Sequence, residues 1–156
     1  MSKKIKISFL VLVLLLLVIQ VFPVNRRLHE WDPGDDFINT RKIQPELSLV
    51  IRNSCYDCHS YFTKYPWYAN IAPVSWLIQG HVNEGRAHVN FSTWKQLPAN
   101  ERSQLLRKCA GEIGEGGMPL ASYRLMHPEA RLSREEKEAL IAQFEIMADS
   151  TYTDHE

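Results

Sequence analysis

Cysteine is scarce in this chain, with three residues among 156. So few cannot staple a small domain, and a disulfide framework is excluded. Neither sign of charge is in excess, since 18 Lys and Arg face 18 Asp and Glu. Setting aside Lys3, Lys4 and Lys6 leaves 15 basic residues against those 18 acidic ones, a mildly negative body and a poor surface for nucleic acid. Internal repeats and low-complexity tracts are also missing, which leaves one modest domain with an appendage.

Charge is absent altogether from Ile7 to Val24, where Leu, Val and Ile dominate. At 1.5 Å per residue about 18 helical residues span about 27 Å, close to the thickness of a bilayer core. The run ends Gln20-Val21-Phe22-Pro23-Val24-Asn25, with no Ala-x-Ala cleavage site and no cysteine to carry a lipid. An uncleaved signal anchor, a transmembrane helix over residues 1–25, is therefore expected. The basic start predicts an inside N-terminus, although Arg26 and Arg27 beyond the run reduce the contrast.

Against these absences stands Cys55-Tyr56-Asp57-Cys58-His59. Cys-x-x-Cys-His is the attachment signature of a c-type haem. Two thiols add across the two vinyl groups on one porphyrin edge, and a two-residue spacer lets one turn of chain present both. The next residue, His59, can then offer a neutral imidazole nitrogen to the iron. A zinc site would want a fourth ligand at matching spacing, and neither Cys109 nor the pair His81 and His88, seven apart, supplies one. A thioredoxin-like redox pair would want a preceding strand, whereas the flanks have helical patterns. Covalent haem attachment in bacteria takes place outside the cytoplasmic membrane, so the body is expected to face the periplasm.

Residues 26–40 mix charges with Pro33-Gly34 and show no sustained period, as a tether does. From Pro45 a helix is expected, with Glu46 in its first turn and Leu47, Val50 and Ile51 on one face leading into Cys55. Nine aromatic residues crowd between Cys55 and Trp94, enough flat apolar surface to wrap a haem or to form a small core. Pro66 and Pro73 break that stretch, leaving one short helix from Pro73 to His81. Leu97 to Ile113 has a second helical pattern, with Leu105, Leu106, Cys109 and Ile113 on one face. Cys109 is thus a small buried apolar residue. The glycines from Gly111 to Gly117 are expected to stop that helix. Ser133-Arg134-Glu135-Glu136 is a capping box opening a last helix through Ala139, Leu140, Ile141, Phe144 and Met147, with a frayed tail from Asp149.

An iron held by His59 needs a second axial ligand or stays open. Met118, Met126, Met147, His81, His88 and His127 are the candidates. Met147 belongs to a core face, and Met126 lies among polar residues in a turn. Met118 follows the glycine run and precedes Pro119, and monohaem c-type cytochromes commonly present a distal sulfur in a similar way. That resemblance favours Met118, with His81 next.

The segments Asn53-Ser54-Cys55-Tyr56-Asp57-Cys58-His59-Ser60, Tyr65-Pro66-Trp67-Tyr68, Pro73-Val74-Ser75-Trp76, His81-Val82-Asn83-Glu84-Gly85-Arg86, Asn90-Phe91-Ser92 and Gly117-Met118-Pro119-Leu120 resemble the short bacterial haem-binding domain family over about residues 40–148. The resemblance implies one haem c through Cys55 and Cys58 and a likeness to membrane-anchored monohaem cytochromes c. Within it, His81, Glu84 and Arg86 are expected in a loop, where Arg86 could pair with a haem propionate.

Together these features predict an all-α, cytochrome c-like domain of about four helices. The expected organisation is an anchor over 1–25, a tether over 26–40, the haem domain over 41–150 and a tail over 151–156. The expected role is one-electron transfer on the periplasmic side of the cytoplasmic membrane, single-pass, with redox proteins and the haem-attachment machinery as partners. It would be a carrier rather than a catalyst. A peroxidase-like enzyme or a gas or redox sensor with an open sixth iron position is the alternative, with His81 and Glu84 its only plausible distal pair.

Overall fold

The computed structural model describes residues 2–26, 30–41 and 43–153, and side chains up to 150. Arg27 and residues 154–156 of the expected tail lie outside the described residues. All regular structure among those described is helical. In chain order the α-helices are α1 (Lys3–Ile19), α2 (Phe37–Thr40), α3 (Pro45–Ser54), α4 (Tyr56–His59), α5 (Val74–His88), α6 (Ala99–Glu115), α7 (Ala121–Met126) and α8 (Arg134–Thr153). Short 3-10 segments at Pro33–Asp35, Trp67–Asn70, Phe91–Gln96 and Pro128–Ala130 fill the connections.

α6 and α8 form the antiparallel pair that backs the molecule. Lys137 Nζ near the start of α8 donates to Gly114 O near the end of α6, and Arg107 meets Asp149 at the other end. Leu106, Ala110 and Ile113 from α6 and Leu140, Phe144, Met147 and Ala148 from α8 are buried in one core. Each fully buried Leu or Phe side chain there stabilises the fold by about 1.5–3 kcal/mol. The capping box forms as the sequence predicts: Glu136 N donates to Ser133 Oγ at 3.1 Å, and Ser133 N donates to Glu136 Oε2 at 2.8 Å. α8 then continues past Asp149 to Thr153, beyond the expected fraying point.

Three other expectations change. α6 runs through Gly111 and Gly114 and ends only at Gly116, whose φ of 79° is the left-handed conformation that glycine adopts without strain. Its two internal glycines are exposed, and helix packing outweighs their propensity cost of about 1 kcal/mol each. α5 extends to His88, so His81, Glu84 and Arg86 lie on a helix and not in a loop. Gly85 is tolerated within it because the helix packs hard against Cys58 at that point. Finally, the stretch expected to be a tether reaches the core: Phe37 is fully buried, with its ring centroid 4.9 Å from that of Trp94 and 5.0 Å from that of Phe91.

The apolar run near the start also ends earlier than expected. α1 has 17 residues, about 25 Å by the helical rise, and none of its side chains is buried by the rest of the chain. Among the described residues no helix is long and apolar enough to cross a membrane. Helix α1 stops at Ile19, and the side chain of its cap residue Gln20 reaches the body of the domain. Its side-chain amide accepts from Ala72 N at 2.9 Å and donates to Ala72 O at 3.0 Å.

Candidate functional site

α3 delivers the motif. Cys55 N still donates to Ile51 O, as a continuing helix would, but Cys55 leaves helical geometry at φ −124° and α4 restarts at Tyr56. His59 N and Cys58 N both donate back to Cys55 O, closing one tight turn. That turn presents Cys55, Cys58 and His59 to the same space, a cavity of about 410 Å³. Its volume falls within the range of about 300–1,000 Å³ usual for cofactor sites. Met118, His81, Tyr123, Cys109, Leu105 and Phe144 complete much of the wall.

Both spacer residues of the motif are tied down. Tyr56 Oη donates to Asp36 Oδ1 at 2.9 Å. Asp57 accepts from Tyr123 Oη at 2.8 Å and from Lys64 N at 2.9 Å. The two thiols are thus held on a turn that is clamped from three directions.

His59 is oriented by α5. Its Nδ1 lies 2.9 Å from Gly85 O and 3.2 Å from Val89 O. Carbonyl oxygens can only accept, so Nδ1 carries the proton and Nε2 keeps its lone pair for a metal. Metal-ligating histidines are held by the same kind of second hydrogen bond. Burial lowers the His59 pKa, an effect that outweighs the opposing pull of those two carbonyls, and so favours the neutral, ligating form.

Gly85 makes this approach possible. A Cβ on it would fall 2.7 Å from Cys58 O and 3.2 Å from Cys58 Cβ. Burial, with Cys109 and Cys58 adding to it, pushes the Cys55 thiol up to about 12. Burial and then Asp57 push the Cys58 thiol up to about 11, with Arg86 opposing. Both sulfurs are therefore neutral thiols at physiological pH.

The sixth-position candidates now separate. Met118 enters the wall because the end of α6 places it: past Gly116 the chain doubles back, and Met118 N donates to Glu112 O at 3.2 Å. His81 lines this cavity and a smaller neighbour of about 220 Å³ as well, while Met126 and His127 line only the neighbour. His88 lies exposed at the larger cavity, and Met147 is buried in the core. Arg86 does not line either cavity. Its Nε donates to Ser60 O at 2.8 Å and its Nη2 to Thr63 Oγ1 at 2.9 Å, which ties down the chain that leaves the motif.

These residues suit a haem: two thiols one turn apart, an imidazole with its outer nitrogen pinned, and a largely apolar wall. Among the described residues no group of three His, Cys, Asp or Glu is gathered that could hold a metal ion by itself. The family model for a haem-binding domain matches residues 14–145. The chain belongs to that haem-binding domain family. No curated protein and no solved structure matches it. The cavity lined by Cys55, Cys58 and His59 is the candidate place for a haem.

Several residues of this candidate site carry no signal in the sequence. Tyr123, Leu132 and Phe144 are too far along the chain for any spacing rule to bring them in. Gly85 had one hint, a glycine inside a helical pattern, which often marks close packing. Cys109 was expected as an inert buried residue. Its thiol is indeed pushed up to about 11, by burial first and Glu112 second, but it stands in the wall of the site.

Proposed function

We propose that this protein is a membrane-anchored, monohaem c-type cytochrome-like electron carrier on the periplasmic side of the cytoplasmic membrane. The observation that carries this reading is one apolar cavity lined by the Cys55 and Cys58 thiols, the His59 imidazole and the Met118 thioether. Cys55 and Cys58 would hold haem c through thioethers, installed by the haem-attachment machinery, and His59 and Met118 would hold its iron. When bound, the haem supplies a reversible one-electron change that no side chain here can.

The chain's own part is to hold and insulate. The backbone carbonyls of Gly85 and Val89 fix the imidazole, Asp36 and Tyr123 fix the spacer, and Leu105 and Phe144 would help keep water out of the occupied cavity. Helix α1, uncharged from Ile7 onward and with no side chain buried by the rest of the chain, supports an anchor. Its partners would be membrane or periplasmic redox proteins. A peroxidase-like enzyme or a sensor with an open sixth position is the second reading, supported by His81, which shares the cavity with Met118.

Expression with a haem-attachment system tests the proposal. Haem should stay with the chain through denaturing electrophoresis, and the ferric protein should be low-spin with the weak long-wavelength band of sulfur–iron charge transfer. Haem that extracts freely ends the c-type assignment. A high-spin protein that binds carbon monoxide at once transfers the assignment to the enzyme or sensor.

A further inference from the structure

Residues 65–80 contain no Asp, Glu, Lys, Arg or His. The stretch is nonetheless largely on the surface: Trp67 is 74% exposed, Leu77 60%, Ile71 44%, and Val74 and Trp76 40% each. Exposed apolar patches of this kind mark interaction surfaces.

The only comparable uncharged run is 7–25, and the two are fastened together. Gln20 pairs with both backbone groups of Ala72, and Trp76 Nε1 donates to Phe22 O at 2.9 Å. Phe22 and Val21 are themselves 64% and 74% exposed. Arg26, the first charged residue after the run, donates to Asn70 Oδ1 at 2.8 Å and lies 4.0 Å over the Tyr65 ring. The exit of α1 is therefore not a loose hinge but part of the patch.

We infer that the exposed surface carrying Trp67, Ile71 and Trp76 lies on the surface of a phospholipid bilayer, at the point where α1 leaves it. The inference rests on the anchor reading of α1. It adds that the haem domain is not suspended on a tether but sits on the membrane in one orientation. The occupant is lipid because the patch is bonded to the uncharged segment that ends the apolar helix, and the first charge past that segment, Arg26, is a cation. Whatever depth Phe22 reaches, Trp76 shares it. Tryptophan prefers the headgroup boundary, where an apolar ring can bury while its N–H stays bonded. Lys64, exposed at the edge of the uncharged stretch, suits anionic headgroups.

The test uses the full-length holoprotein in phosphatidylcholine–phosphatidylglycerol vesicles, with acyl chains either unmodified or brominated near the headgroup. Bromine should quench tryptophan emission in the wild type. The Trp67→Phe and Trp76→Phe double variant should lose that bromine-dependent quenching, while Trp31→Phe keeps it. Trp94 is fully buried and contributes none. Trp67→Phe alone removes only an exposed ring, so a partial loss there guards against misfolding of the double variant.

Retention of the protein on vesicles after alkaline carbonate wash reports the anchor separately. Retention without quenching overturns the lipid-facing surface and leaves the anchor standing, as a face covered by a second copy or another protein would. Quenching that is lost on washing overturns the anchor and keeps the surface.

Discussion

Tyr56 Oη donates to Asp36 Oδ1 across 2.9 Å, and both residues are buried. The bond joins the first spacer position of the haem motif to a segment twenty residues earlier. Asp36 uses the same oxygen to accept from Ile38 N at 3.1 Å, which caps α2. The other oxygen, Oδ2, is buried with no hydrogen-bond partner. One hydroxyl thus supports a buried carboxylate, the cap of a short helix and the orientation of the cysteine turn.

Tyr56→Phe should be costly out of proportion to the single atom removed. It strips a donor from a buried carboxylate that has few, a loss of about 1–3 kcal/mol. Thermal unfolding of the haem-loaded protein should report it as a drop of several degrees. Asp36→Asn in the same background should cost less than it does alone, because the two act through one bond. Additive losses would mean that the bond is incidental.

Gly85→Ala tests the seat of His59. The added methyl would have to displace the Cys58 carbonyl, only 2.7 Å from its ideal position. The helix propensity gain of about 1 kcal/mol is smaller than the overpacking cost of about 1–3 kcal/mol, so the protein should be destabilised. The Gly85 and Val89 carbonyls would also move away from Nδ1, and the visible spectrum of the haem should change together with stability. A more stable protein with an unchanged spectrum would show that α5 is free to shift.

Much of the site was legible because it is local. The motif, the α3 face that leads into it and the α8 capping box each depend on residues within a few positions of one another, where spacing alone is informative. The misplaced parts depend on contacts at long range. α5 looked finished at His81 because Gly80 and Gly85 weaken a helical pattern; its continuation depends on packing against Cys58. Asp36 and Phe37 looked like tether because nothing nearby is periodic; what buries them is Trp94, Phe91 and Tyr56. Tyr123 could not be placed at all, since its role is a hydrogen bond to Asp57 across 66 residues.

Met118→Ala separates carrier from catalyst. Met118 stands in the same cavity as His59, and a thioether ligand would favour ferrous iron. The variant should lose the sulfur–iron band and have a lower reduction potential, by a sizeable part of the roughly 0.8 V range that axial ligands span. Met118→His should restore a low-spin spectrum while the potential stays low. An unchanged spectrum in Met118→Ala would move the ligand to His81, which lines the same cavity.

The last prediction concerns alkali and compares the protein before and after haem attachment. Burial raises the thiols of Cys55, Cys58 and Cys109 from the ordinary value of 9.0 to about 12, 11 and 11 in the folded chain. A group whose folded pKa is raised stabilises the fold fully below its unfolded value and loses that contribution as pH climbs through the folded one. Below pH 9 all three thiols are protonated in both states and nothing changes. Between pH 9 and 11 the unfolded chain sheds protons that the folded chain keeps, so unfolding is favoured.

The unattached protein, kept reduced, should therefore melt at progressively lower temperature across that window. Thioether formation removes two of the three titrating sulfurs, and the loaded protein should show a shallower fall. Tyr56 and Tyr123, raised by burial beyond the ordinary tyrosine range, act in both forms and cancel in the comparison. Cys55→Ala with Cys58→Ala in the unattached chain should reproduce the shallow slope without any haem. Parallel slopes in all three proteins would show that the thiols are not buried in the cavity.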